Sequence, residues 1–210
     1  MSDLEKTQSI QADSPSSNEV NFDPPTDPAD PLQWLQWKKT ATVLNVSLLA
    51  AVGQMASSMV APAADQILAE FGTVNSELAV FVVSVFLLGM ATGLLLISGL
   101  SEVYGRVVII NASNVLFVIF AVASAVASSM GQLIGFRFLL GVASAAPPSI
   151  GGGIIGDMFL PQERGRATSM YAFGLLVGPM VGPIAGGYLA GSKGWRWVCW
   201  LVAILVSRTI

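Results

Sequence analysis

This chain predicts an all-α fold, a polytopic bundle of membrane-crossing helices, on three grounds. Of its 210 residues 53% are hydrophobic and only 11% charged, with a mean hydropathy of +0.68, whereas a soluble domain carries roughly 25% charge. The apolar residues gather into long runs, each near the ~20 residues that a helix needs to cross an ~30 Å hydrocarbon core. Inside one of those runs glycine recurs every fourth residue, the spacing at which helices approach closely in lipid.

The first 37 residues stand apart. Pro15, Pro24, Pro25, Pro28 and Pro31 lie among Ser, Asp and Glu, and the segment has a net charge of −6 against +3 for 38–210. Too little apolar surface is available there to offset the entropy of ordering, so 1–37 is expected to be a disordered acidic cytosolic tail. It has no basic start and no apolar core of a secretory signal, so the first hydrophobic run is expected to remain as an anchor. With one cysteine, Cys199, and no histidine, a disulfide framework, a zinc cluster and Cys/His or Ser/His catalytic pairs within the chain are excluded. No nucleophile, base and orienter lie at a recognisable spacing, so the chain is not read as an enzyme, and no cofactor, metal or nucleic-acid partner is expected.

The transmembrane domain, 38–210, divides into spans at about 40–62, 78–100, 107–129, 132–156 and 168–190, with a partial sixth at 197–210. The sixth holds about 14 residues, roughly 21 Å of helix, short of a crossing. Orientation follows from the bases: an inside N-terminus puts Lys38, Lys39, Arg106, Arg164 and Arg166 on the cytoplasmic side, against Lys193 and Arg196 outside. Trp34, Trp37, Trp195 and Trp197 then fall near the interfaces, where indole rings anchor.

Span one carries Asn45, Gln54 and Ser58 at offsets of nine and four, read as sharing a face that either lines a polar cavity or cements helix contacts. Spans two and three are joined by Leu100-Ser101-Glu102-Val103-Tyr104-Gly105-Arg106, a tight hairpin in which Gly105 supplies the turn and the acid and base can bridge helix ends. Span four carries Arg137 about 10 Å below its outer boundary, where a charge requires a partner, water or a side chain long enough to snorkel. Its inner half, with Pro147, Pro148 and Gly151-Gly152-Gly153, is expected to be irregular. Pro161 to Ala167 reads as a base-rich loop ahead of span five.

Span five contains Gly174, Gly178, Gly182 and Gly186 in a row along one face, and Pro179 and Pro183, each of which removes a backbone hydrogen bond and invites a kink. Such a helix is expected to face protein. Membrane-depth acids are scarce: Asp65 lies at the outer end of span one and Asp157 at the inner end of span four, so a proton-coupling acid is not visible. Pairing of Arg137 with Asp65 is one possibility; an acid outside this chain is the other.

The pattern Gly174-x-x-x-Gly178-Pro179-x-x-Gly182-Pro183-x-x-Gly186-Gly187 resembles the fifth-helix antiporter signature of the major facilitator superfamily, and within it the fungal multidrug:proton antiporter-like branch. The Glu102/Gly105/Arg106 loop and Arg137-Phe138-Leu139-Leu140-Gly141 resemble two further signatures of that family in the expected order, over roughly residues 22 to 205. The chain departs from the pattern at Ser98, Val107 and Leu140, where glycine, a second base and glutamine are usual. The resemblance implies a latch in which Arg106 meets Asp157 and Glu102 meets a helix of a second half, and it implies a proton-transfer role for Arg137.

The resemblance therefore implies the N-terminal half of a transporter whose two six-helix halves rock about a midplane site. The expected function is export of drugs or other amphipathic molecules, driven by a proton gradient and carried out in the plasma membrane with a small-molecule substrate and the missing C-terminal half or a partner chain. A truncated, non-transporting fragment or half-transporter subunit is a second reading, since Val206 to Ile210 ends mid-helix. Uptake of sugars or other nutrients is the third, disfavoured by the Gly-Pro signature.

Overall fold

The computed structural model describes residues 34–73 and 75–209, and every described element is helical. Helix α1, Gln36–Ser58, leads through a 3-10 turn at Ala61–Ala63 into α2, Ala64–Glu70. Then follow α3, Ser76–Tyr104, α4, Arg106–Ala125, α5, Met130–Ser144, α6, Ala146–Met158, α7, Pro161–Lys193, and α8, Arg196–Ser207. Five spans, Gln36–Glu70, Glu77–Tyr104, Arg106–Ala125, Met130–Met158 and Pro161–Lys193, are long and apolar enough to cross a membrane, and Arg196–Ser207 is a shorter apolar helix.

The residues at the helix ends explain where each element starts and stops. Asn75 accepts the backbone N–H of Glu77 at 3.0 Å to open α3. Gly105, at φ +86°, turns α3 directly into α4, a backbone state that L side chains rarely adopt. Before α5, Ser129 accepts from Gln132 N–H at 3.3 Å and the Gln132 side chain accepts from Ser128 N–H at 3.1 Å, a reciprocal cap.

Several expected boundaries move. The tail was expected to reach residue 37, but α1 already begins at Gln36; residues 1–33 lie outside the described residues. Span one does not end at 62: Pro62 sits at the start of the 3-10 turn, where its missing N–H costs nothing, and the chain continues helical to Glu70. The expected loop 161–167 is the first part of α7, because Pro161 occupies the opening helical position, whose N–H has no helical partner to lose. Span four is interrupted only at Ala145, just ahead of Pro147 and Pro148, and the glycine triplet behind it is regular helix.

The helices pair as α1 on α7, α3 on α5, and α4 on both α5 and α8. Phe86, Met59, Leu133 and Val198, all almost fully buried, lie in one continuous core. Large apolar side chains such as Leu95, Val103, Phe173 and Ile184 cover the outer surface, the inverse of a soluble bundle.

Candidate functional site

Three constellations carry the chemistry. The first lies at the end of the bundle where α1 begins, called here the tail-side end. Arg106, the first residue of α4, reaches Asp157 near the end of α6 at 2.8 Å. The guanidinium lies directly over Gly153, where a Cβ would collide with it. Glu102 is exposed and forms no ion pair among the described residues. Arg164 in α7 donates to the carbonyls of Phe159 at 3.0 Å and Gly156 at 2.7 Å, satisfying the free carbonyl end of α6. The expected Arg106–Asp157 contact is therefore present.

The second is Arg137 in α5, only 3% exposed. It does not snorkel. Its guanidinium donates to the Ala56 carbonyl of α1 at 3.1 Å and to Cys199 Sγ of α8 at 3.8 Å, while Nε has no partner among the described residues. No carboxylate among the described residues completes the arrangement: Asp65 is exposed, and the suggested Asp65–Arg137 pair is not formed. The thiol of Cys199, 62 residues along the chain, could not be picked out from sequence, because no periodicity relates it to Arg137.

The third is the α1–α7 seam. Gly174, Gly178, Gly182 and Gly186 are all buried, and each faces α1. Cβ atoms placed there would stand 2.5 Å from Ser47 O, 2.9 Å from Gln54 Cβ, 3.0 Å from Met55 O and 2.8 Å from Met59 C. Only glycine admits this approach. Ser47 adds hydrogen bonds from its hydroxyl to the Met170 and Tyr171 carbonyls at 3.2 and 3.3 Å. Gly187 meets ordinary contact with Pro62. Pro179 and Pro183 are exposed, about 100° around the helix from the glycine row, and α7 is assigned helical through both.

Gln54 and Ser58 lie beneath the glycine row and serve the seam. Asn45 does not join them. Nine residues is two and a half turns at ~3.6 per turn, which puts Asn45 on the opposite face; it is exposed and lines a shallow hollow of about 320 Å³ with Ala41, Thr42 and Val46.

Two features were not foreseen. Tyr171 of α7 donates its hydroxyl to the Pro147 carbonyl at 3.0 Å, its ring lying on Gly151, so span five supports span four just beyond its break. At the opposite end, Arg196 of α8 donates to Glu70 at 2.9 and 3.2 Å and to the Ala125 and Ala127 carbonyls at 2.7 and 3.0 Å. Trp195 also donates to Glu70. This knot joins α2, α4 and α8.

Among the described residues, five helices long and apolar enough to cross a membrane and a shorter sixth, with a glycine seam between α1 and α7 and a buried arginine, define a polytopic helical membrane protein. The Major Facilitator Superfamily profile matches residues 46–207. The chain belongs to that superfamily. It is 49% identical over 187 residues to an efflux pump, radE, of Floropilus chiversii, covering 89% of this chain and 35% of the relative. It is 44% identical over 204 residues to the MFS-type transporter atr4 of Stereocaulon alpinum, covering 97% of this chain and 37% of that one. Among solved structures, the proton:xylose symporter XylE superposes with a TM-score of 0.69 at 17% identity, over 81% of this chain and 44% of that chain. The fold is the N-terminal half of the major facilitator fold, with five full spans and a shorter sixth helix. The chain spans little more than a third of the length of these curated relatives.

Proposed function

We propose that this chain supplies half of a transporter that exports small amphipathic molecules in exchange for protons. The observation that carries the reading is the glycine face of α7 seated on α1, the arrangement expected of the antiporter signature. The printed name of the 49% identical relative, an efflux pump, supports export over uptake. In this reading Arg137 is the buried cation through which proton movement is felt, because burial with no carboxylate partner among the described residues makes its surroundings sensitive to any charge that arrives. Arg106 and Asp157 hold the latch on this half, and exposed Glu102 faces the second half. The energy source is the proton gradient, and the setting is the plasma membrane with the tail in the cytoplasm.

The test is transport by the full chain in sealed vesicles. Efflux should follow an imposed pH gradient, collapse with a protonophore and be lost in Arg137→Ala. Downhill uptake of a sugar indifferent to the gradient would replace export with nutrient entry. An antibody to the acidic tail settles how the second half is supplied. A band above twice 22.0 kDa places both halves in one polypeptide, and a stable band near that mass requires a partner chain.

A further inference from the structure

The buried cation of α5 is held from two sides by groups other than carboxylates. Nη1 of Arg137 donates to the Ala56 carbonyl, and Nη2 donates to Cys199 Sγ. Each contact has a local reason. Helix α1 ends at Ser58, so Ala56 lies in its last turn, where carbonyls run out of helical donors and the dipole favours a cation. Cys199 is as deeply buried as Arg137, at 3% exposure. It stands one turn beyond Arg196, which Glu70 and the Ala125 and Ala127 carbonyls fix at the start of α8. The sulfur is thereby held in place under the guanidinium.

The third nitrogen differs. Nε of Arg137 is buried and has no acceptor among the described residues. An open donor in so dry a place is costly, and it is the part of the guanidinium left to answer a charge that arrives. The other titratable side chains on the helices packed around the pair stand mostly at helix ends. Lys38 and Lys39 open α1, Glu77 opens α3, Glu102 and Tyr104 close it, Arg106 opens α4, and Arg196 and Arg208 flank α8. Helix α7 carries Glu163, Arg164 and Arg166 in its first two turns and Tyr188 and Lys193 in its last two, while Tyr171 is engaged by Pro147. Cys199 is therefore the side chain that bears on Arg137 directly.

We infer that Cys199 is a positioning residue for Arg137. Its sulfur and the Ala56 carbonyl fix the two terminal nitrogens of a planar group, and together they present the Nε–H in one orientation. Sulfur suits the place because it is a weak acceptor, so it orients the guanidinium without closing on it as a carboxylate would. Without the sulfur, Nη2 loses its partner and the guanidinium is held at one point, free to turn. The role in coupling rests on the reading of Arg137 as the cation that feels proton movement. The contact itself does not.

The experiment compares Cys199→Ala, Cys199→Val and Cys199→Ser in the full chain. Valine fills the space of the thiol with no acceptor, and a serine hydroxyl can donate to the preceding turn and still accept. In nanodiscs, nitrogen-15 label at arginine Nε gives a resonance for Arg137, assigned by its loss in Arg137→Lys. It should shift in Cys199→Ala and Cys199→Val, its N–H should exchange with water about fivefold faster, the scale of one hydrogen bond, and Cys199→Ser should restore it. In sealed vesicles the alanine and valine variants should lower gradient-driven efflux about fivefold and change the shape of its pH profile, with KM within about twofold of the parent, and serine should restore both. An Arg137 resonance unmoved by alanine and valine would overturn the inference. Efflux that falls by one factor at every pH, in step with membrane abundance, would do the same by making Cys199 a packing residue. A resonance that moves as expected while efflux by the parent ignores the gradient would instead overturn the coupling reading and leave the positioning contact standing.

Discussion

Adjacent glycines in α7 should behave oppositely when each is changed to alanine. At Gly186 a Cβ would stand 2.8 and 2.9 Å from the carbonyl carbon and Cα of Met59, below the 3.0 Å that real Cβ atoms essentially never cross. Those obstacles are α1 backbone, so relief requires the two helices to separate. At Gly187 the nearest atom is Pro62 Cβ at 3.7 Å, an ordinary contact. Alanine gains up to about 1 kcal/mol of helix propensity over glycine at either site. Overpacking at Gly186 costs about 1–3 kcal/mol.

Propensity cancels in the comparison between the two variants, so their difference isolates the packing cost. Gly187→Ala should equal or slightly exceed the parent in stability. Gly186→Ala should fall below Gly187→Ala by about 1–3 kcal/mol, roughly a 5- to 150-fold change in the unfolding equilibrium. Denaturation of the full chain in mixed detergent micelles, followed by tryptophan fluorescence, reads the difference directly. If the two variants unfold together, or Gly187→Ala is the weaker, the α1–α7 seam is not held by backbone approach and the argument fails.

Asp157→Asn and Gly153→Ala should share one phenotype in transport assays, since the first removes the partner of Arg106 and the second pushes its guanidinium away. Both groups of the pair are more than a third exposed, so the accompanying stability loss should stay below about 1 kcal/mol by thermal unfolding. Arg196→Lys should not restore what Arg196→Ala loses, about 1–2 kcal/mol in the same assay, because one ammonium cannot span Glu70 and the Ala125 and Ala127 carbonyls together. Arg137→Ala should abolish gradient-driven efflux at preserved membrane abundance, read by a vesicle assay with a surface-expression control; unchanged pH dependence would remove Arg137 from the mechanism.

The crossing helices were legible because hydrocarbon thickness imposes a length and an apolar composition on every span. The glycine row was legible because four-residue spacing fixes a helical face whatever that face meets. Boundaries next to proline were not. Span one was ended at 62 and 161–167 read as a loop, yet Pro62 and Pro161 each open a helical segment, and composition alone does not distinguish a proline that ends a helix from one that begins it. Asn45 was placed by spacing that the helical repeat contradicts. The partners of Arg137, Ala56 and Cys199, come from two other helices 81 and 62 residues away. Nothing local in the sequence encodes such contacts, since they depend on how α1, α5 and α8 converge.

The two prolines of α7 supply the remaining argument. Proline lacks an N–H, so Pro179 and Pro183 leave the carbonyls of Leu175 and Pro179 without their helical donors. Hydrocarbon cannot satisfy a bare carbonyl, and each one left there costs several kcal/mol. Both prolines are exposed, as are Leu176, Met180 and Ile184 on the same side of the helix, while the glycine row is consumed by α1. Lipid is therefore a poor cover for the proline face, and protein or water must meet it in the intact molecule. Cysteine at Met180 or Ile184 in the full chain should react with a membrane-impermeant maleimide or form a disulfide with a cysteine placed in the opposing half. Cysteine at Leu95, 80% exposed on α3, should do neither and instead be quenched by a lipid-borne spin label. Equal quenching at Met180 and Leu95 would mean that the proline face lies in lipid, and that the freed carbonyls are satisfied within α7 itself.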